Sequence, residues 1–205
     1  NEAREDAELI YAGKRADKHH LRQWETNALL VEKALEGKNV ARVKGGDPFI
    51  FGRGGEEAQE LLKAGVEFEI IPGVSSSYAA PAYAGIPVTH RDFASSFHVI
   101  TGHESADKTG LVLDYATLAK EEGTLVFLMG LKNLPHIAEE LITHGKDPKT
   151  PAAVVQAGTT ARQQVVTGVL ESIAETAKTA GIQTPAITVV GDVVTLQRQL
   201  SWLGG

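Results

Sequence analysis

The residues best placed to do chemistry stand in one run, Val43 to Gln59, which reads VKGGDPFIFGRGGEEAQ. It joins a β-branched segment to a helical one, the position at which open α/β sheets bind ligands. Gly45 and Gly46 let a ligand approach the backbone without meeting a β-carbon. Pro48 confines Asp47 to an extended conformation, which aims its carboxylate and the amides that follow. No Lys-Ser or Lys-Thr pair follows the glycines, and their order is not G-x-G-x-x-G, so the run is neither a P-loop nor a dinucleotide fingerprint. An acid in such a loop disfavours a phosphate and suits a cationic ligand. The alternative is a tight loop in which Asp47 only bonds nearby amides.

A second candidate is IPGVSSSYAA, Ile71 to Ala80. Ser75 and Ser76 open a helix there, where their hydroxyls can cap it or, with the free amides, hold a ligand. Basic residues gather at Lys14, Arg15, Lys18, His19 and His20 and recur at Arg53, His90, Arg91 and Lys132; the alternative for each is a solvated charge. His19 and His20 have no acid or third histidine at a ligand-like spacing, so no metal is expected. No G-x-S-x-G elbow supports a serine hydrolase.

The elements that must position these groups alternate. Glycine falls mostly at the ends of short β-branched runs, the candidate strands ELIYAG, NVARVK, EFEII, SFHVITG, GTLVFLMG, AAVVQAG, QQVVTG and AITVVG. Several are continuous apolar runs that fit strands buried on both faces. Between them lie helical patterns: Trp24, Ala28, Val31 and Leu35 share one face of a helix that Gly37 ends, and EEAQELLKAG ends likewise at Gly65. Further helices are expected over LPHIAEELITHG, with Pro135 in its first turn, and over VLESIAETAKTAG. This is an α/β pattern. The polar stretch Thr89 to Ser96 divides it into an N-terminal domain over 1–91 and a C-terminal domain over 92–205.

Composition narrows the function classes. The 205 residues carry a net charge of -6 and no cysteine. That removes disulfides, thiol catalysis and thiolate metal sites, and it argues against a general nucleic-acid binder. No apolar run approaches the roughly 18 residues of a membrane span, so a cytoplasmic protein with no membrane partner is expected.

Taken together, GKRA at Gly13, the run VKGGDPFIFGRGGEE, IPGVSSSYAAPAYAGIPVTHR, VITGH at Val99, LMGLKNLP at Leu128, VVQAGTTARQQVVTG and TPAITVVGDVV resemble the uroporphyrinogen-III C-methyltransferases, a branch of the tetrapyrrole methylases. The resemblance follows the whole chain in order. It implies two α/β domains with a cleft between them, in a homodimer. It also implies S-adenosyl-L-methionine as methyl donor, S-adenosyl-L-homocysteine as its product, and a tetrapyrrole substrate, uroporphyrinogen III, methylated at carbons 2 and 7 to give precorrin-2 for sirohaem and cobalamin synthesis.

By the same resemblance Gly45, Gly46, Asp47 and Ile50 contact the donor, as do Ser75 and Ser76, which stand where family members often have Thr-Ala. Met129, Gly158 and Ala186 match further donor contacts. Lys14 matches the proposed proton donor, and Arg15, Arg53 and Arg91 are anchors for substrate carboxylates. The family's opening strand, its GAGPGDP-type loop and the DRLVS-type segment with the proposed base do not occur here, so an N-terminal domain incomplete at its start is implied. The alternatives are a later precorrin methyltransferase, a non-catalytic module that binds S-adenosyl ligands, and a nucleotide-binding α/β protein, against which Asp47 speaks.

Overall fold

The helical patterns and apolar runs sort into two units in the computed structural model, Asn1–Gly73 and Val74–Gly205. Residues 3–12, 21–102 and 113–203 are described. The first unit contains α1 (Gln23–Leu35) and α2 (Gly54–Lys63), which pack on each other. Both end as their sequences predict, with Gly37 and Gly65 at φ of 79° and 70°, a left-handed conformation in which a β-carbon is strained.

Two expectations for this unit need correction. ELIYAG, NVARVK and EFEII form no strand among the described residues. Leu9, Val43 and Ile71 are 80%, 81% and 69% exposed, so these runs pack no apolar row into a core. A β-branched run favours an extended backbone, but only a hydrogen-bonding neighbour makes it a strand. The predicted apolar face of α1 is also not its buried face. Trp24 and Leu35 are exposed, and the one buried residue of α1 is Thr26.

The second unit is a two-sided α/β layer. Its helices in chain order are α3 (Ser76–Tyr83), α4 (Tyr115–Lys120), α5 (Leu134–Thr143), α6 (Ile173–Thr179) and α7 (Gln197–Leu200). Its strands are β1 (Phe97–Thr101), β2 (Thr124–Leu128), β3 (Pro151–Gln156), β4 (Gln164–Val169) and β5 (Ala186–Val190), in the spatial order β1-β2-β5-β3-β4. β1 and β2 are parallel, and the other three pairings are antiparallel. Along each strand the side chains alternate between faces. Leu125, Phe127, Ala152 and Val154 meet Tyr115 of α4, Leu134, Ile137 and Leu141 of α5, and Ile173 of α6. Val126, Leu128, Ala153 and Val155 meet Ala80 of α3 with Ile86, Val193 and Val194. Helices on both faces explain why these strands read as unbroken apolar runs.

Local signals set the boundaries. Pro135 lies in the first turn of α5, where its missing N–H costs nothing. The helix expected over VLESIAETAKTAG begins only at Ile173, because β4 keeps pairing with β3 to Val169. The short α4 is absent from the sequence reading; Asp114 caps it, accepting the Thr117 amide at 3.1 Å. The α3 segment, grouped with the first half on sequence, packs on the second unit's sheet. Among the described residues no helix is long and apolar enough to cross a membrane.

Candidate functional site

In the first unit the run after Val43 folds onto itself around Asp47. One carboxylate oxygen accepts the Phe49 amide at 2.8 Å, and the other accepts the Gly73 amide at 3.0 Å. The Gly73 N–H, then that of Phe49, hold the Asp47 carboxyl below the usual carboxylate range. Asp47 therefore ties the GGDP loop to the IPG loop, the amide-bonding arrangement that the sequence left open beside ligand contact. A β-carbon on Gly73 would lie 2.4 Å from the Gly46 carbonyl oxygen, so the two loops meet only because residue 73 is glycine. Gly46 itself sits at φ 80°.

The rest of the loop is equally constrained. The Gly54 amide donates to the Pro48 carbonyl at 2.9 Å, and β-carbons on Gly52 or Gly54 would each come within 2.6 Å of that oxygen. Phe51 and Arg53 are held at φ of 51° and 60°, a conformation rare for bulky side chains. Arg53 is exposed and pairs with Glu56 at 3.1 Å. Phe49, Ile50 and Phe51 are exposed. Around Gly45 the space where a β-carbon would stand has no atom within 4 Å, which leaves its backbone open to a ligand.

In the second unit four strand ends share one edge of the sheet. Because β1, β2 and β3 run one way and β5 the other, the carboxyl ends of the first three lie beside the start of β5. Met129 follows β2, Gly158 follows β3 at a distance of two residues, and Ala186 opens β5, paired with Gln156. Three positions from separate motifs thus come to a common edge. Met129 is 55% exposed and adopts φ 57°; Ala157 and Thr159, on either side of Gly158, adopt 46° and 70°. Strained residues of this kind persist only where their surroundings over-determine them.

Close backbone packing supports that edge. A β-carbon on Gly158 would meet the Ala80 β-carbon at 2.4 Å, and one on Gly102 would meet the Gly130 α-carbon at the same distance. Asn133 donates from Nδ2 to the Gly102 carbonyl at 2.8 Å, joining the ends of β1 and β2. Ser75 is buried as the N-cap of α3 and accepts the Ser77 amide at 3.2 Å, whereas Ser76 is exposed on the first turn. The capping reading thus accounts for Ser75, and Ser76 is the freer hydroxyl.

Arg91 is exposed in the turn closed by the His90 and Ala94 bridge. Lys14 and Arg15 lie outside the described residues, as do His19 and His20. Sequence reasoning passed over Gly102, Gly130, Asn133 and Ala157, although VITGH, LMGLKNLP and VVQAG contain all four. It also passed over Glu57, Lys44 and Arg42. Among the described residues no group of three or more His, Asp or Glu side chains could hold a metal.

The family profile described as Tetrapyrrole (Corrin/Porphyrin) Methylases matches residues 2–174. A Methanosarcina barkeri protein named S-adenosyl-L-methionine-dependent uroporphyrinogen III methyltransferase is 55% identical over 190 residues, covering 93% of this chain and 74% of that protein. A siroheme synthase of Klebsiella pneumoniae is 50% identical over 199 residues, covering 97% of this chain and 41% of that longer protein. Among solved structures, uroporphyrin-III C-methyl transferase from Thermus thermophilus, complexed with S-adenyl homocysteine, superposes with a TM-score of 0.73 at 38% identity, covering 85% of this chain and 75% of that one.

Proposed function

The chain belongs to the tetrapyrrole methylase family, and from that premise we propose that it carries out S-adenosyl-L-methionine-dependent C-methylation of uroporphyrinogen III, at carbons 2 and 7, giving precorrin-2 for sirohaem and cobalamin synthesis. The observation that carries this reading is the meeting of Met129, Gly158 and Ala186 at one sheet edge. These residues are far apart in sequence, and each matches a donor-contacting motif.

The residues present fit such a donor. Gly45 and Gly46 offer open or left-handed backbone in the first unit, and Gly158 and the exposed Met129 offer close backbone and an apolar side chain in the second. We assign donor contact to these residues with Asp47, Ile50, Ser75, Ser76 and Ala186. When bound, the sulfonium supplies an electrophilic methyl carbon. The loop around Asp47 keeps a negative carboxylate beside the glycine pair, which favours a cationic ligand over a phosphate. Rigid glycine turns restrict the geometry of approach, so that positioning supplies much of the rate. Arg53 and Arg91, exposed cations, anchor substrate carboxylates with Arg15. Lys14 donates the proton that rearrangement of the pyrrole ring requires. A homodimer in the cytoplasm completes the reading.

The test is a calorimetric titration of the chain with S-adenosylhomocysteine, followed by turnover assays on uroporphyrinogen III and on later precorrins. Binding at micromolar concentration and turnover of uroporphyrinogen III are expected. Turnover confined to a later precorrin would replace the substrate, and binding with no turnover of any would leave a binding module. In an active preparation Lys14→Ala is expected to lower the methylation rate by about 10²-fold or more, with donor affinity unchanged.

A further inference from the structure

We propose that Glu57 is a positioning residue for the donor-binding loop, holding Gly45 and Gly46 in place through Lys44. This rests on the donor reading of that loop. Glu57 is 5% exposed and is the only buried charged residue among those described. It lies one turn into α2, where the helix dipole favours an acid. Its Oε1 accepts from Lys44 Nζ at 2.8 Å, from Gln23 Nε2 of α1 at 3.2 Å and from Arg42 Nε at 3.3 Å, and its Oε2 accepts from the same Lys44 at 2.9 Å.

These bonds converge on the backbone that leads into the glycine pair. Lys44 precedes Gly45, and its side chain is only 11% exposed. Arg42, beside the same carboxylate, also donates from Nη1 to the Val43 carbonyl at 2.9 Å, so the peptide before Lys44 is held as well. On the far side Asp47 is tied to Gly73 and Phe49. Gly45 and Gly46 therefore span two anchored points, and this is what such residues need, because glycine alone imposes little conformation. The unit has no large apolar core to supply the anchor: Ala58 is its one buried apolar side chain among the described residues. A charge-assisted network is directional where apolar contact is not, so it sets the register of the loop on α2 as well as its attachment.

The role separates from plain stabilisation by measuring the loop and the donor in the same full chain. Glu57→Gln keeps the volume and removes the charge; Lys44→Met removes the partner; Lys44→Arg keeps a donor to the carboxylate. In the ligand-free protein, NMR order parameters of the Gly45, Gly46 and Asp47 amides are expected to fall from rigid-backbone values of about 0.85 to below about 0.6 in Glu57→Gln and Lys44→Met and to return close to wild type in Lys44→Arg. The S-adenosylhomocysteine Kd, from calorimetry, is expected to rise about tenfold in the first two, with no further loss when they are combined. Unchanged order parameters at the three amides, or a wild-type Kd in Glu57→Gln, overturn the proposal. Should the wild-type chain bind no S-adenosylhomocysteine, the donor reading falls, and the order parameters still decide whether Glu57 sets the loop.

Discussion

The two units hold their residues by opposite means. In Val74–Gly205 the buried side chains are Phe127, Leu125, Ile137, Leu141 and their neighbours, and both sheet faces are covered. In Asn1–Gly73 the buried centre is the Glu57 carboxylate with Lys44, Arg42 and Gln23 around it, and the large apolar residues Leu9, Val43 and Leu62 are exposed. Apolar burial is strong but does not specify direction. Hydrogen-bonded charges contribute less net stability and fix geometry instead. One unit therefore presents its candidate residues on strand ends that the core makes rigid, and the other presents them on a loop that polar bonds hold from each side.

The largest expected contrast comes from truncating apolar side chains. Phe127→Ala, at a side chain 0% exposed, is expected to cost about 3 to 5 kcal/mol in denaturant unfolding. Leu62→Ala in the first unit, where the side chain is 70% exposed, is expected to stay within about 0.5 kcal/mol. A cost of comparable size at both positions would remove the distinction between the units.

Adding one methyl group sharpens the comparison. Gly158→Ala places a β-carbon 2.4 Å from that of Ala80 and is expected to destabilise by about 1 to 3 kcal/mol. Gly45→Ala meets nothing within 4 Å. Its melting temperature is expected to be unchanged, while its affinity for S-adenosylhomocysteine falls about tenfold, the methyl group occupying the ligand's approach.

Asp47 adds a pH dependence to the first unit. Its pKa is lowered chiefly by the Gly73 amide, so the stability it contributes is complete above the ordinary carboxylate value of about 3.9 and is lost as pH falls through the lower folded-state value. The difference in melting temperature between wild type and Asp47→Asn is therefore expected to be constant from about pH 5 to 8 and to close in acid. A gap that instead widens below about pH 4 would show that the carboxylate is not held by those amides.

The smallest effect is a gain. Ala157 adopts φ 46°, where glycine carries no steric penalty, so Ala157→Gly is expected to raise stability by about 0.5 to 1 kcal/mol in thermal unfolding. Lower donor affinity in the same variant would show that the strained turn serves the ligand.

Much of the second unit was legible in sequence because its signals are local and agree with one another. Continuous apolar runs bounded by glycine marked β1, β2, β3 and β5, and Pro135 marked the start of α5. In the first unit the same kind of signal misled. The run around Val43 has strand-like composition, yet its neighbours are loop and helix. The apolar stripe through Trp24 and Leu35 is exposed at both ends, and the residue of α1 that is buried is Thr26. The glycine loop itself was plain in the sequence, but its anchor was not: Glu57 is one of two adjacent glutamates at a helix start, and only one of them is buried.

The amino-acid sequence by itself determined the α/β character, the helix ends at Gly37, Gly65 and Gly181, and the family, because turn chemistry and motif order are properties of neighbouring residues. Tertiary structure alone decided the rest. Asp47 bonds Gly73 across 26 intervening steps of chain, Glu57 collects Lys44, Arg42 and Gln23, and antiparallel pairing of β5 with β2 and β3 brings Ala186 to the edge of Met129 and Gly158. Long-range hydrogen bonds and strand order depend on which distant segments the core brings together, and no local pattern encodes that choice.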